Sequence, residues 1–114
     1  VDGKPATAQL DELPSRQCSC GTTRRAFADE PGRVVSVHLL QVEDALAHYH
    51  RIATEVYVVL EGEGHLELDG ELHPAKPLTA FLIPPGVQHR AIGDLKVLVI
   101  PVPAADDSDE YFDV

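Results

Sequence analysis

From Arg33 onward the sequence is divided into short segments rich in Val and Leu, most of them followed closely by a turn signal. They are RVVSVHLLQV, then Ala47 to His50, Glu55 to Glu61, His65 to Asp69, Glu71 to Pro74, Leu78 to Ile83, Gln88 to Ile92 and Leu95 to Val102. Runs of this length and composition favour strands, and no window of convincing helical length separates them. The firmest turn is Asp69-Gly70, because a two-residue hairpin needs positive φ at both central positions and this pair reaches it cheaply. Pro84-Pro85-Gly86 marks another. Many short strands at close spacing predict an all-β sandwich or barrel. Helical turns are expected only in QLDELPSR and around Glu43 to Ala47.

At 114 residues the chain is one domain, with no internal repeat. Residues 1–32 have little periodicity and read as an N-terminal arm. Residues 33–103 read as the barrel. Residues 104–114 read as an acidic tail, whose run Asp106-Asp107-Ser108-Asp109-Glu110 is most simply solvated. A formal charge of −10 argues against nucleic-acid partners and against an anionic membrane surface. No stretch is apolar enough to span a bilayer, and VDGKPATAQLDELP does not read as a leader, so a cytoplasmic location is expected. Cys18 and Cys20 are too close for an easy disulfide and are read as free thiols. A soft second metal site there lacks further partners nearby.

The polar residues that interrupt the apolar pattern carry the chemistry. Alternation along a strand turns His48 and His50 to one side. Glu55 follows after a short corner, Gly62 closes the strand that Glu55 opens, and PPGVQHRA delivers His89 after a turn. Each piece alone has an ordinary reading: a His-x-His pair is often surface decoration, and a lone histidine after a turn is unspecific. Together, three imidazoles and a carboxylate make a borderline N/O donor set suited to Fe, Mn, Ni, Co, Cu or Zn.

The order His-x-His, four residues, Glu, six residues, Gly, then Pro-x-Gly-x-x-His resembles the two-motif signature of the cupin superfamily. His48, His50, Glu55 and Gly62 form the first motif; Pro84, Gly86 and His89 form the second. The resemblance implies a jelly-roll β-barrel, and one divalent transition metal ion held by His48, His50, Glu55 and His89. It also implies a small-molecule substrate or ligand in the barrel and a homodimer, for which exposed strand edges and the segment before Arg33 are available. Glu55 would then moderate the metal's charge or act as a base. Tyr57 shares parity with Glu55 and either brings a phenol near the metal or fills the wall. Three positions depart from the family pattern: Val42 and Leu78 stand where opening glycines fall, and Gly93 where a closing asparagine falls.

The activity implied is that of a metalloenzyme of dioxygenase type. A sugar or sugar-phosphate isomerase is the alternative, since HYHRIATEVYVVLEGEG and IPPGVQHR are also similar to the cupin domain of type II mannose-6-phosphate isomerases. A non-catalytic metal or small-ligand binding module is the third reading. Among the remaining polar residues, His38 either faces the cavity or is a satisfied wall histidine. His65 and His73 are expected to be exposed, and Arg51 and Arg90 to point away from the ligand face. Arg24 and Arg25 reach the site only if the arm folds over the barrel mouth.

Overall fold

A computed structural model describes residues 3–28 and 33–113. Seven strands make it an all-β, jelly-roll barrel: β1 (Ser15–Cys18), β2 (Gly21–Ala26), β3 (Val37–Val42), β4 (Thr54–Leu68), β5 (Glu71–Ala75), β6 (Ala80–Ile83) and β7 (His89–Val102). Every pairing is antiparallel, in the order β1-β2-β3-β7-β4-β5, with β6 also on β4. Among the described residues no helix is long and apolar enough to cross a membrane.

The spine is the β4–β7 ladder, paired from Thr54↔Val102 to Leu68↔His89. Early in β4 the second neighbour is β6; late in β4 it is β5. One strand therefore belongs to two walls, which is how the sheet wraps. Alternation sets the inward face: Glu55, Tyr57 and Val59 on β4, Leu95, Val97 and Val99 on β7, and His38, Leu40 and Val42 on β3 are all buried. Burying an aliphatic side chain of this size contributes about 1.5–3 kcal/mol. The apolar part of the core, around Leu40, Val59, Leu66, Leu95 and Val97, lies below the polar end that carries Glu55.

The sequence ends a strand at Gly62, and the structure does not. β4 runs through it, and Gln88 to Ile92 joins Leu95 to Val102 in β7. The cause is close backbone approach: a Cβ on Gly62 would stand 2.0 Å from the Asp94 carbonyl oxygen, and one on Gly64 2.0 Å from that of Ile92. These glycines admit a neighbouring strand rather than a turn. At Asp69-Gly70 the expected hairpin forms, with φ of 48° and 84°.

Other departures have equally local causes. The region read as an arm contains β1 and β2, and β2 pairs with β3 from Gly21↔Val42 to Ala26↔Val37. Its inward face carries Gly21, Thr23 and Arg25, so no apolar periodicity advertises it. Of the segment read as a solvated tail, residues 104–113 are described and fold back on the barrel: a 3-10 turn at Asp107–Asp109 leads to Tyr111, which bridges to Tyr49. A 3-10 turn forms at Leu10–Glu12, whereas Glu43 to Ala47 is non-helical, with Asp44 at φ 45°. Ala47 to His50 forms only bridges at His48 and Tyr49, and β6 begins at Ala80, not Leu78.

Leu78 stands at φ 72° with 84% of its surface exposed, the left-handed conformation that a glycine adopts freely. Leu78→Gly is therefore expected to raise stability by up to about 1 kcal/mol, because relief of left-handed strain exceeds the added chain entropy. The same change at Leu72, exposed in β5, should lower stability by about 0.5–1 kcal/mol. Urea unfolding of both variants measures the contrast, and a loss at both positions would contradict the strain argument.

Candidate metal centre

The two motifs meet through their main chains. His48 N–H donates to the His89 carbonyl (3.1 Å) and His89 N–H to that of His48 (2.8 Å). In the intervening turn, Gly86 N–H donates to the His50 carbonyl (2.7 Å) and Val87 N–H to that of Pro84 (3.3 Å). Residues about 40 positions apart are thus fixed side by side by backbone alone. Glu55 enters from the inward face of β4.

Each imidazole is held by its Nδ1. His48 donates to the Leu46 carbonyl (3.0 Å), His50 to that of Asp109 (2.5 Å) and His89 to that of Val87 (3.0 Å). A carbonyl only accepts, so each Nδ1 carries the proton and each Nε2 is left for another partner. The potential ligand atoms of His48, His50, Glu55 and His89 lie within 4.8 Å of one another. Glu55 Oε1 is 3.1 Å from both His50 Nε2 and His89 Nε2. Those contacts lack hydrogen-bond alignment, and all three atoms are buried without a hydrogen-bond partner. Buried polar atoms are rarely left so. When deprotonated at Nε2, the three imidazoles and the carboxylate present converging lone pairs that fit a divalent transition ion, so the four residues form a possible metal site.

The electrostatics follow from this crowding. Burial pushes the Glu55 carboxyl up, but the His50 and His89 imidazoles outweigh it and hold it well below the usual carboxylate range. Burial lowers His50, yet Glu55 and Asp109 carry it up to about 8. Burial and the neighbouring His89 lower His48. Tyr57 packs edge-on against His89, with ring centroids 5.7 Å apart, and burial raises its hydroxyl well above the ordinary value. It stays protonated at neutral pH.

His48, His50, Glu55 and Tyr57 border a cavity of about 70 Å³, lined also by Cys18, Cys20, Thr23, Arg25, His38 and Leu40. His38 faces the cavity and is also satisfied: its Nε2 is 2.9 Å from Ser36 Oγ, and burial lowers it to about 4, so it is neutral. The two thiols are free and half-buried. Among the described residues they join no cluster of three or more potential ligands.

Sequence reasoning missed the lid of this cavity. The Asp109 carboxylate accepts the N–H groups of Arg51 (2.8 Å), Ile52 (3.2 Å) and Ala53 (3.0 Å), pinning the corner between His50 and β4. Glu110 accepts from the Ser19 hydroxyl at 2.5 Å and lies 3.8 Å from His48 Nε2. Asp107 bridges Arg16 and Arg25, at 2.9 Å each. The signal available was Tyr111-Phe112, a pair of aromatics that a solvated acidic tail has no reason to carry. Other residues sit away from the site. Arg51 stacks on Tyr111 at 4.1 Å, Arg90 pairs with Glu67 at 3.2 Å, and Arg24 donates to the Leu13 carbonyl. His65 is exposed and His73 half-buried.

The cupin-domain family model matches residues 29–101. This chain belongs to the cupin family. Among solved structures, a protein from Planctomyces limnophilus is 38% identical, over 96% of this chain and 98% of that one, with a TM-score of 0.89. Streptomyces PAC13 with uridine, a nucleoside dehydratase, is 18% identical over 97% and 92% of the two chains, with a TM-score of 0.83. A cupin-superfamily sugar phosphate isomerase from Silicibacter pomeroyi is 21% identical over 95% and 92%, with a TM-score of 0.70. The last two likenesses speak for the fold alone. No curated protein gives a significant match.

Two expectations follow. An ion on these donors displaces the proton that His50 holds up to about pH 8 in the metal-free protein. Zinc affinity should therefore fall about tenfold per pH unit below that value, as protons compete for the donors. Competition with a proton-corrected chelator from pH 5 to 9 measures it, and a flat profile removes His50 from the ligand set. Separately, Asp109→Ala removes the acceptor of three N–H groups, that of Ala53 buried and those of Arg51 and Ile52 part-buried, and should cost about 1–3 kcal/mol in urea unfolding. A loss under about 0.5 kcal/mol would mark the corner as self-supporting.

Proposed function

We propose that this cupin is a metal-dependent enzyme performing proton-transfer chemistry, an elimination or an isomerisation, on a small polar molecule in the barrel. The observation that carries the reading is the set of orphaned, converging atoms, His50 Nε2, Glu55 Oε1 and His89 Nε2, beside a cavity lined with further polar groups. His48, His50, Glu55 and His89 would hold the ion, which supplies Lewis acidity when bound. Glu110, oriented by Ser19 beside His48, is placed to take a proton from a substrate in the cavity. Tyr57, kept neutral by burial, is placed to donate a hydrogen bond to a developing oxyanion. A dehydratase and an isomerase among the fold relatives are compatible with such chemistry.

The dioxygenase reading keeps one specific support, a three-nitrogen, one-oxygen donor set that accommodates iron. Against it stand Cys18 and Cys20, which line the same cavity, where oxygen chemistry would expose their thiols to oxidation. Free thiols also accord with the cytoplasmic location that we propose. The homodimer remains our reading on the edge strand β1, the exposed Leu82 in β6 and the exposed Leu78 just before it. Sedimentation equilibrium showing only monomer at micromolar concentration would reject it.

The functional test begins with metal analysis of the purified protein, expected to give about one divalent ion per chain. His50→Ala and His89→Ala should each lose it, and unchanged content in both would sink the site. Turnover of small hydroxylated carbonyl compounds should proceed without O₂ and fall at least about 100-fold in Glu110→Gln, as expected for loss of a proton-transfer group. Turnover only with O₂ would install the dioxygenase reading. Stoichiometric metal with no turnover on either panel would favour the binding module.

A further inference from the structure

The cavity has a second polar pole on β2. Thr23 and Arg25 alternate onto its inward face, and both line the cavity beside the metal donors. Thr23 is only 2% exposed, and its Oγ1 has no hydrogen-bond partner. Arg25 gives Nη1 to Asp107 at 2.9 Å, but its Nε is buried without a partner. Register ties this pole to the reacting end: Arg25 pairs with His38, His38 with Val99, and Val99 with Tyr57. His38 adds little, since its Nε2 is engaged by Ser36. Two buried donors, an N–H and an O–H, therefore stand ready on one wall, and leaving such groups unpaired is costly.

Charge decides what they accept. The Arg25 guanidinium is already ion-paired with Asp107, while Asp106, Asp109 and Glu110 line the same cavity. Carboxylates on this side repel an anion but not a carbonyl or hydroxyl oxygen. Size narrows it further: about 70 Å³, at roughly 10–15 Å³ per water-sized position, holds a group of about five heavy atoms.

We infer that Thr23 and Arg25 form an acceptor subsite for an uncharged carbonyl or hydroxyl oxygen of the substrate. The inference rests on the metalloenzyme reading only in calling the bound molecule a substrate, and it makes that molecule a neutral, oxygenated compound rather than a phosphate or carboxylate. The test uses an isosteric pair, acetamide and acetate, titrated into the full-length chain while the amide resonances of β2 are followed by NMR. Acetamide should shift the Thr23 and Arg25 amides at millimolar concentration, and acetate should not. Thr23→Val should weaken the acetamide response roughly three- to tenfold, the loss of one hydrogen bond, with recovery in Thr23→Ser. Arg25→Lys, which keeps the charge but removes Nε–H, should weaken it similarly. Acetate acting on β2 as strongly as acetamide, no response to acetamide, or an unaltered response in Thr23→Val would each overturn the inference. The titration is repeated in His50→Ala. A persistent acetamide response there upholds the subsite whatever metal analysis shows, so the two readings fail separately.

Discussion

The carboxylate of Asp109, buried and facing the N–H groups of residues 51 to 53, is the contact on which the geometry of the candidate site hangs. The corner it caps joins His50 to β4, and so sets the distance between an imidazole and the Glu55 carboxylate. The same residue offers its main-chain oxygen to His50 Nδ1. One residue thus shapes the corner and orients the ring. A buried charge is tolerable there because backbone dipoles surround it, the arrangement in which charge-assisted hydrogen bonds are strongest.

The remaining order comes from the β4–β7 ladder and from the small residues that let it close. Glycines at 62 and 64 allow the two longest strands to stay paired where a side chain would force them apart. The ladder carries the first motif to the second, and reciprocal hydrogen bonds between His48 and His89 finish the alignment. Main-chain bonds define the positions of these donors, and the imidazole Nδ1 contacts define their rotation. Metal-site precision of this kind depends on partners outside the ligand set.

Much of the barrel was legible in the sequence because β3 to β7 bury alternating aliphatic residues, and because Asp69-Gly70 is a turn chemistry with few other uses. The four donors were legible because their spacing is a family pattern, and the structure brings them together. What escaped notice has a common physical cause. β2 turns Gly21, Thr23 and Arg25 inward, and the C-terminal segment buries an aspartate, so in both places the interior face is polar. Hydrophobic periodicity detects cores built from apolar side chains; it is blind where a wall faces a polar cavity. Gly62 misled for a related reason, since a glycine that admits a neighbouring backbone looks in sequence like one that breaks a strand.

Asp109 follows all four donors in the sequence, and that also fixes an order of events during synthesis. All four donor residues are translated before it, and the jelly roll closes only when β7, whose partners lie far back in sequence, has emerged. A nascent chain therefore holds three imidazoles and a carboxylate that are present but not yet aimed. Arrival of Asp109 converts them into a preorganised set, so the vectorial growth of the polypeptide delays the moment at which the cluster can discriminate among ions.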